Sequence, residues 1–228
     1  MPAANEVPGR ALTRWVAGLL GLIGFAVLAV LVLVHPGSFP LDRWLHRLAV
    51  EHRQPVLGLA SFVTNFGTGP VLVPLLLLAG IVAARRTGVR WVVLAGVAGL
   101  LLGQGVRLLA MVLVDRPRPP MSDWARFASG TSFPSGHSTS AALGYGLMLL
   151  LLAPSVHGRA RRVLLSIGLV TVAGLVGVSR VVLGVHWPTD VLGGWSLALL
   201  LLAVAALLFE KLGLCPDPMP AAPTSSVP

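Results

Sequence analysis

Charge is what this 228-residue sequence has least of: 11% of its residues are Asp, Glu, Lys or Arg, where a soluble domain carries roughly a quarter. Acidic residues are the scarcer sign, eight against seventeen basic ones. So little charge cannot clothe a water-facing surface, and 55% hydrophobic content with a mean hydropathy of +0.85 excludes a soluble globular domain. The net charge of +9 and a pI near 11.7 would suggest a nucleic-acid partner if the bases formed a stripe on a soluble fold. They fall instead between apolar segments, so no nucleic acid is expected. A single cysteine, Cys215, excludes an intramolecular disulfide and any cysteine-based metal cluster. It reads as a small apolar residue near a helix end, because one juxtamembrane cysteine is a weak lipidation signal.

What the chain does have is apolar runs of the ~20 residues that cross a ~30 Å hydrocarbon core. Residues 1–13, with Pro2, Pro8 and Gly9 and no apolar period, are expected to be a flexible tail. The domain proper is 14–212, an all-α polytopic membrane fold of six transmembrane helices at 15–34, 71–84, 91–114, 138–152, 163–182 and 188–209. The first run is longer than the ~7–15 apolar residues of a signal peptide, so a retained helix is expected. A short interfacial helix over 41–53 lies between the first two spans. Its residues Leu41, Trp44, Leu45, Leu48 and Ala49 recur at helical spacing, with Asp42, Arg43, His46, Arg47 and Glu51 elsewhere, the pattern of a helix resting on a membrane surface. The apolar run 56–66 is short and is broken by Gly67-Thr68-Gly69-Pro70 before the second span. From 213 to 228, Pro216, Pro218, Pro220 and Pro223 indicate a disordered tail.

Six spans put both termini on one side. Arg10, Arg14, Arg85, Arg86, Arg90, Arg159, Arg161, Arg162 and Lys211 share that side, which cytoplasmic loops favour. Three polar stretches then face outward: Arg116-Pro117-Arg118-Pro119, Pro134-Ser135-Gly136-His137, and Ser179-Arg180 through His186 to Asp190. Ionisable groups at a membrane edge are costly and are functional candidates by default.

The starts of spans four and six expose backbone N–H groups and the positive ends of helix dipoles, a ready anion site. Ser135 suits an N-cap, Gly136 allows close backbone approach, and Pro188 suits a first helical turn. Arg118 and Arg180 offer planar forks that match phosphate oxygens. His137 and His186 can act as nucleophile and proton donor near neutral pH. Asp190, four residues after His186, can hold one imidazole nitrogen as an orienting carboxylate does. A zinc site built on these His and Asp residues is disfavoured by the neighbouring arginines. His35, His46, His52 and His157 lie in interfacial turns without evident partners and are assigned no chemistry. Gly193 and Gly194 are expected to serve helix packing.

In this order the three stretches resemble the type 2 phosphatidic acid phosphatase family, membrane lipid phosphatases related to vanadium haloperoxidases, over roughly residues 70 to 210. The resemblance implies a metal-independent phosphoric ester or anhydride hydrolase, without cofactor, acting on a lipid phosphate such as undecaprenyl diphosphate or a phosphatidic-acid-type lipid. It assigns His186 as the nucleophile that becomes phosphohistidine, Asp190 as its orienter, and His137 as the acid that protonates the leaving group. Arg118, Ser135, Gly136 and Arg180 take the phosphate oxygens. The implied location is the plasma membrane, with the active site extracytoplasmic and the termini cytoplasmic; the oligomeric state is not implied. One position departs from the pattern. The family's first motif opens with a lysine seven residues before its arginine, and here that position is Met111. Arg107, one helical turn earlier on the same face, either substitutes for it or the protein is a weak or inactive lipid-phosphate-binding relative.

Overall fold

The computed structural model describes residues 8–212, with side chains from 12 onward; the expected tails at 1–7 and 213–228, and Cys215, lie outside the described residues. Eight α-helices follow in order: α1 (Pro8–Val34), α2 (Pro40–Glu51), α3 (Leu57–Val63), α4 (Gly69–Thr87), α5 (Val92–Val114), α6 (Gly136–Leu152), α7 (Arg159–Val182) and α8 (Pro188–Lys211). Six of them, α1 and α4 to α8, are long and apolar enough to cross a membrane. The expected all-α, six-span architecture is therefore observed. The helices outrun the apolar stretches, because polar residues at a membrane edge continue the hydrogen-bond ladder into the headgroup region. Thus α1 already includes 8–13, α4 runs on through Arg85 and Arg86, and α7 starts at Arg159.

Helix α6 is the centre of the bundle, packed against α4, α5, α7 and α8, while α1 lies along α8. Leu72, Leu76, Leu100, Leu143, Leu147, Val176 and Ala198 fill the interior. Leu102, Val112, Leu113, Leu164 and Val170 point outward, as lipid-facing side chains must in a chain whose solvent is hydrocarbon. Small residues let backbones close in. A Cβ on Gly194 would stand 3.0 Å from the Ser135 carbonyl oxygen and 2.9 Å from Thr139 Oγ1, so this glycine admits the start of α6 against α8, a packing role as expected.

The chain breaks carry their causes. Thr68 caps α4 from an extended conformation with Pro70 in the first turn. Asp115 closes α5 in the left-handed region at φ 46°, where Asp is among the few tolerated side chains, and Pro117, Pro119 and Pro120 follow. One end of the bundle gathers the N-termini of α4, α6 and α8, the C-termini of α5 and α7, the helices α2 and α3, and the long 115–135 connection. The far end brings the Arg14 guanidinium of α1 onto the Glu210 carboxylate of α8, beside the turns that carry Arg85, Arg86 and Arg159.

Helix α2 forms where the sequence places the interfacial helix. Its hydrophobic residues Leu41, Trp44 and Leu48 are exposed, while Asp42 and His46 are buried. Asp42 and His46 thus face the protein, while Arg43, Arg47 and Glu51 stay exposed beside the outward apolar residues.

Candidate active site

The site is assembled where the three polar stretches meet. Helix α7 ends at Val182, and Gly184 then adopts φ 74°, a turn that glycine makes without strain. A Cβ there would collide with the backbone carbonyl of Asp123. The turn sends Val185 and His186 back under the 115–135 connection, and Pro188 opens α8, as expected. The connection is tied down by Ser132 N–H donating to the Arg116 carbonyl at 2.8 Å and Ala125 N–H donating to the Leu183 carbonyl at 3.0 Å. Ser135 N–H donates to the Asp190 carbonyl at 3.0 Å, joining the start of α6 to the start of α8.

His186 is 2% exposed and is held from both sides. Its Nδ1 lies 3.4 Å from Asp190 Oδ2, and its Nε2 lies 3.0 Å from Arg118 Nη1. Arginine has only donors to offer, so Nε2 accepts and carries the lone pair, and the ring proton sits on Nδ1 toward Asp190. Burial, helped by the charges of Arg118 and Arg180, outweighs the hydrogen bond and charge of Asp190 and lowers the ring to about 4. At pH 7 the imidazole is neutral, the form that acts as a nucleophile.

Arg118 is braced by three backbone carbonyls, Gly130, Ser129 and Val185, at 2.8 to 2.9 Å. Burial lowers its guanidinium from the ordinary value, Asp190 opposes this, and the Arg107 charge adds to it. Arg180 is buried on α7 and donates to Thr64 Oγ1 at 2.7 Å, leaving its Nε without a partner. Arg107 donates to Met111 Sδ at 3.1 Å, and neither Gln104 nor Asp115 pairs with it. Its Nη1 lies 3.5 Å from where a Cβ on Gly136 would be. Among the described residues, none of Arg107, Arg118 and Arg180 has a carboxylate salt-bridge partner. Arg118 and Arg180 thus lie by the neutral imidazole, and Arg107 lies against the start of α6.

Ser135 occupies the N-cap position of α6 with φ −60° and ψ 119°, but its hydroxyl makes no cap bond and instead accepts from Ser138 Oγ at 2.9 Å. The first-turn N–H groups of Gly136 and His137 have no intrahelical acceptor. His137, partly exposed on that turn, makes no side-chain hydrogen bond within the described protein, and lies near enough to Arg180, His186 and Arg118 to feel their charges. The structure therefore brings together all eight sequence-predicted residues: His186, His137, Asp190, Arg118, Ser135, Gly136, Arg180 and Arg107.

Two expectations fail here. The start of α8 is not open to an anion, because Asp190 Oδ2 takes the Trp187 N–H at 2.8 Å and Asp42 Oδ1 takes the Thr189 N–H at 3.0 Å. Of these two starts, α6 is the one that presents free first-turn donors. Nor is His46 without a partner: its Nε2 meets Asp123 Oδ2 at 3.0 Å. Four participants were missed, namely Asp42, Arg116, Thr64 and Thr189. Arg116 is fully buried and binds Asp42 Oδ2 at 2.7 Å and Asp190 Oδ1 at 2.6 Å. The i, i+4 pair Asp42 and His46 on one face of a helix in an apolar protein was the signal for an inward polar stripe.

The chain is similar to known proteins. The PAP2 superfamily profile matches residues 92–213. Phosphatidylglycerophosphatase B of Bacillus subtilis strain 168 is 37% identical over 180 residues, covering 75% of this chain and 84% of its own length. Decaprenylphosphoryl-5-phosphoribose phosphatase of Mycobacterium tuberculosis is 34% identical over 152 residues, 65% of this chain and 78% of its own. The crystal structure of a transmembrane PAP2-type phosphatidylglycerolphosphate phosphatase from Bacillus subtilis superposes with a TM-score of 0.75 at 29% identity, covering 85% of this chain and 96% of that one. This multi-pass membrane protein, a hydrolase of phosphate esters, belongs to the PAP2 superfamily.

Proposed function

We propose that the protein removes phosphate from a lipid phosphate or diphosphate at the extracytoplasmic face of the membrane, through a phosphohistidine on His186. The observation that carries this reading is the charge of the site: Arg107, Arg118 and Arg180 converge without a carboxylate of their own, beside the open first turn of α6. A phosphate group supplies the missing negative charge. The His186 Nε2 lone pair forms the N–P bond as the P–O bond to the lipid breaks, and the leaving oxygen takes a proton from His137, which carries one once the bound phosphate's negative charge offsets the neighbouring guanidinium groups. In the second half, His137 takes a proton from water, the water oxygen bonds to phosphorus, the N–P bond breaks, and inorganic phosphate leaves. Asp190 holds the Nδ1 proton while positive charge develops on the ring. Guanidinium groups aimed at the equatorial oxygens stabilise the charge of the transition state.

Undecaprenyl diphosphate and phosphatidic-acid-type lipids are the substrates proposed. The relatives named above are a glycerolipid phosphatase and a polyprenyl one, and both tails suit a site at the edge of the bilayer. The outward orientation rests on the arginines of the opposite end, which favour the cytoplasm. Met111 in place of the family lysine favours a second reading, a weak or inactive lipid-phosphate binder. Purified protein, given a panel of polyprenyl and glycerolipid phosphates, should release inorganic phosphate. Alkaline quenching with ³²P-labelled substrate should leave label on the protein that is absent from His186→Ala. A folded His186→Ala that keeps most of the turnover would sink the mechanism; an unmodified protein that binds these lipids but releases nothing would establish the binder.

A further inference from the structure

Asp42 belongs to none of the three polar stretches and sits on a helix that the sequence places at the membrane surface. Yet it is 0% exposed, and apart from the Phe39 N–H at the start of its own helix its hydrogen bonds lead toward the nucleophile. Its Oδ2 accepts from Arg116 Nη2 and from Thr189 Oγ1, each at 2.7 Å, and its Oδ1 accepts the Thr189 N–H. The same Arg116 gives Nη1 to Asp190 Oδ1 at 2.6 Å, and the other oxygen of Asp190 faces His186 Nδ1. One buried guanidinium thus lies between two buried carboxylates.

The charge count gives this arrangement a use. A guanidinium bound to Asp190 alone would neutralise the carboxylate that must support positive charge on His186. With Asp42 on its other side, Arg116 is shared, and the three groups together carry one net negative charge next to the ring. Such an effect is large only where water is excluded, and Arg116, Asp42 and Asp190 are all 0% exposed.

We propose that Asp42 is a positioning residue of the reaction: through Arg116 it leaves the charge of Asp190 free to hold His186 Nδ1–H as the N–P bond forms. Helix α2 is then the strap that delivers it, with Leu41, Trp44 and Leu48 turned outward and Asp42 locked inward. The proposal rests on the phosphohistidine reading above.

Asp42→Asn keeps the shape and the acceptor for the Thr189 N–H and removes the charge. It should lower kcat at least fivefold and leave KM for the lipid phosphate within threefold, because Arg107, Arg118 and Arg180 are untouched. A smaller loss in kcat overturns the proposal. Arg116→Gln leaves two buried carboxylates facing each other without a cation, and adding Asp42→Asn relieves that repulsion. The double variant should therefore turn over faster than Arg116→Gln alone when kcat is compared per folded protein at equal unfolding temperature, a coupling that independent sites do not show. A double variant no faster than Arg116→Gln overturns the proposal as well, and this comparison decides it even if Asp42→Asn alone does not fold. Absence of His186-dependent turnover in the unmodified protein would defeat the phosphatase mechanism itself, whereas intact turnover with an indifferent Asp42→Asn defeats only this inference.

Discussion

Arg107→Ala tests whether a guanidinium from α5 replaces the lysine that the family carries at the position of Met111. Arg107 stands four residues before Met111, about 6 Å along a helix rising 1.5 Å per residue, and its side chain covers that gap. Its Nη1 reaches Met111 Sδ at 3.1 Å and lies against Gly136, the first residue of α6. Removing a preorganised donor from a developing oxyanion costs about 10²–10³ in kcat. Arg107 is only partly buried, so solvent screening reduces the effect, and we expect a loss of at least tenfold, roughly 1.4 kcal/mol in the barrier. Steady-state phosphate release in detergent micelles reads this directly, with thermal unfolding as the control for folding. Adding Met111→Lys restores a cation at the family's own position and should recover a good part of the rate. Full activity in Arg107→Ala, or no recovery in a folded double variant, would refute the compensation.

Two further predictions concern orientation and protonation. In a Cys215→Ser background, Ser122→Cys should be labelled in intact cells by an impermeant thiol reagent and Thr87→Cys should not; the reverse pattern would place the site in the cytoplasm. The His186 ring is lowered in the folded protein from the ordinary 6.5 to about 4, chiefly by burial. The unfolded chain therefore binds its proton first, and the stability this residue contributes is full above about pH 6.5 and is lost as the pH falls toward 4, on the order of 3 kcal/mol in total. Unfolding temperatures at pH 7 and pH 4.5 should fall further for the unmodified protein than for His186→Gln. Equal falls would mean that burial does not hold the ring neutral.

The six spans were legible because hydrocarbon imposes a length: an apolar run of the right size has few alternatives to a helix. Their ends were not, since Arg85, Arg86 and Arg159 to Arg162 continue α4 and α7 with no apolar signal to mark them. Helix α2 was legible as a helix but not in its orientation. Its period gave two faces correctly, but periodicity does not say which face meets the protein. In a soluble fold the apolar face goes in; at a membrane edge lipid takes the apolar face and the polar one can turn inward, as Asp42 and His46 do.

The residues proposed for the chemistry were legible as types in order, but the division of labour among them needed the third dimension. Arg116 and Arg118 are two residues apart with a proline between. In a regular strand, residues two apart share a face, but here they diverge: Arg116 goes down to Asp42 and Asp190, and Arg118 goes across to His186. Sequence alone also made the helix starts after His137 and His186 look equivalent, since each is a capped turn with unpaired N–H groups. They are not equivalent, because Asp42 and Asp190 occupy the donors of α8 while Ser135 leaves those of α6 open. A carboxylate already seated at one helix start repels a phosphate there and leaves the other as the place for it. The acidic residues, the scarcest charge in the chain, thus decide where among the arginines an anion can bind.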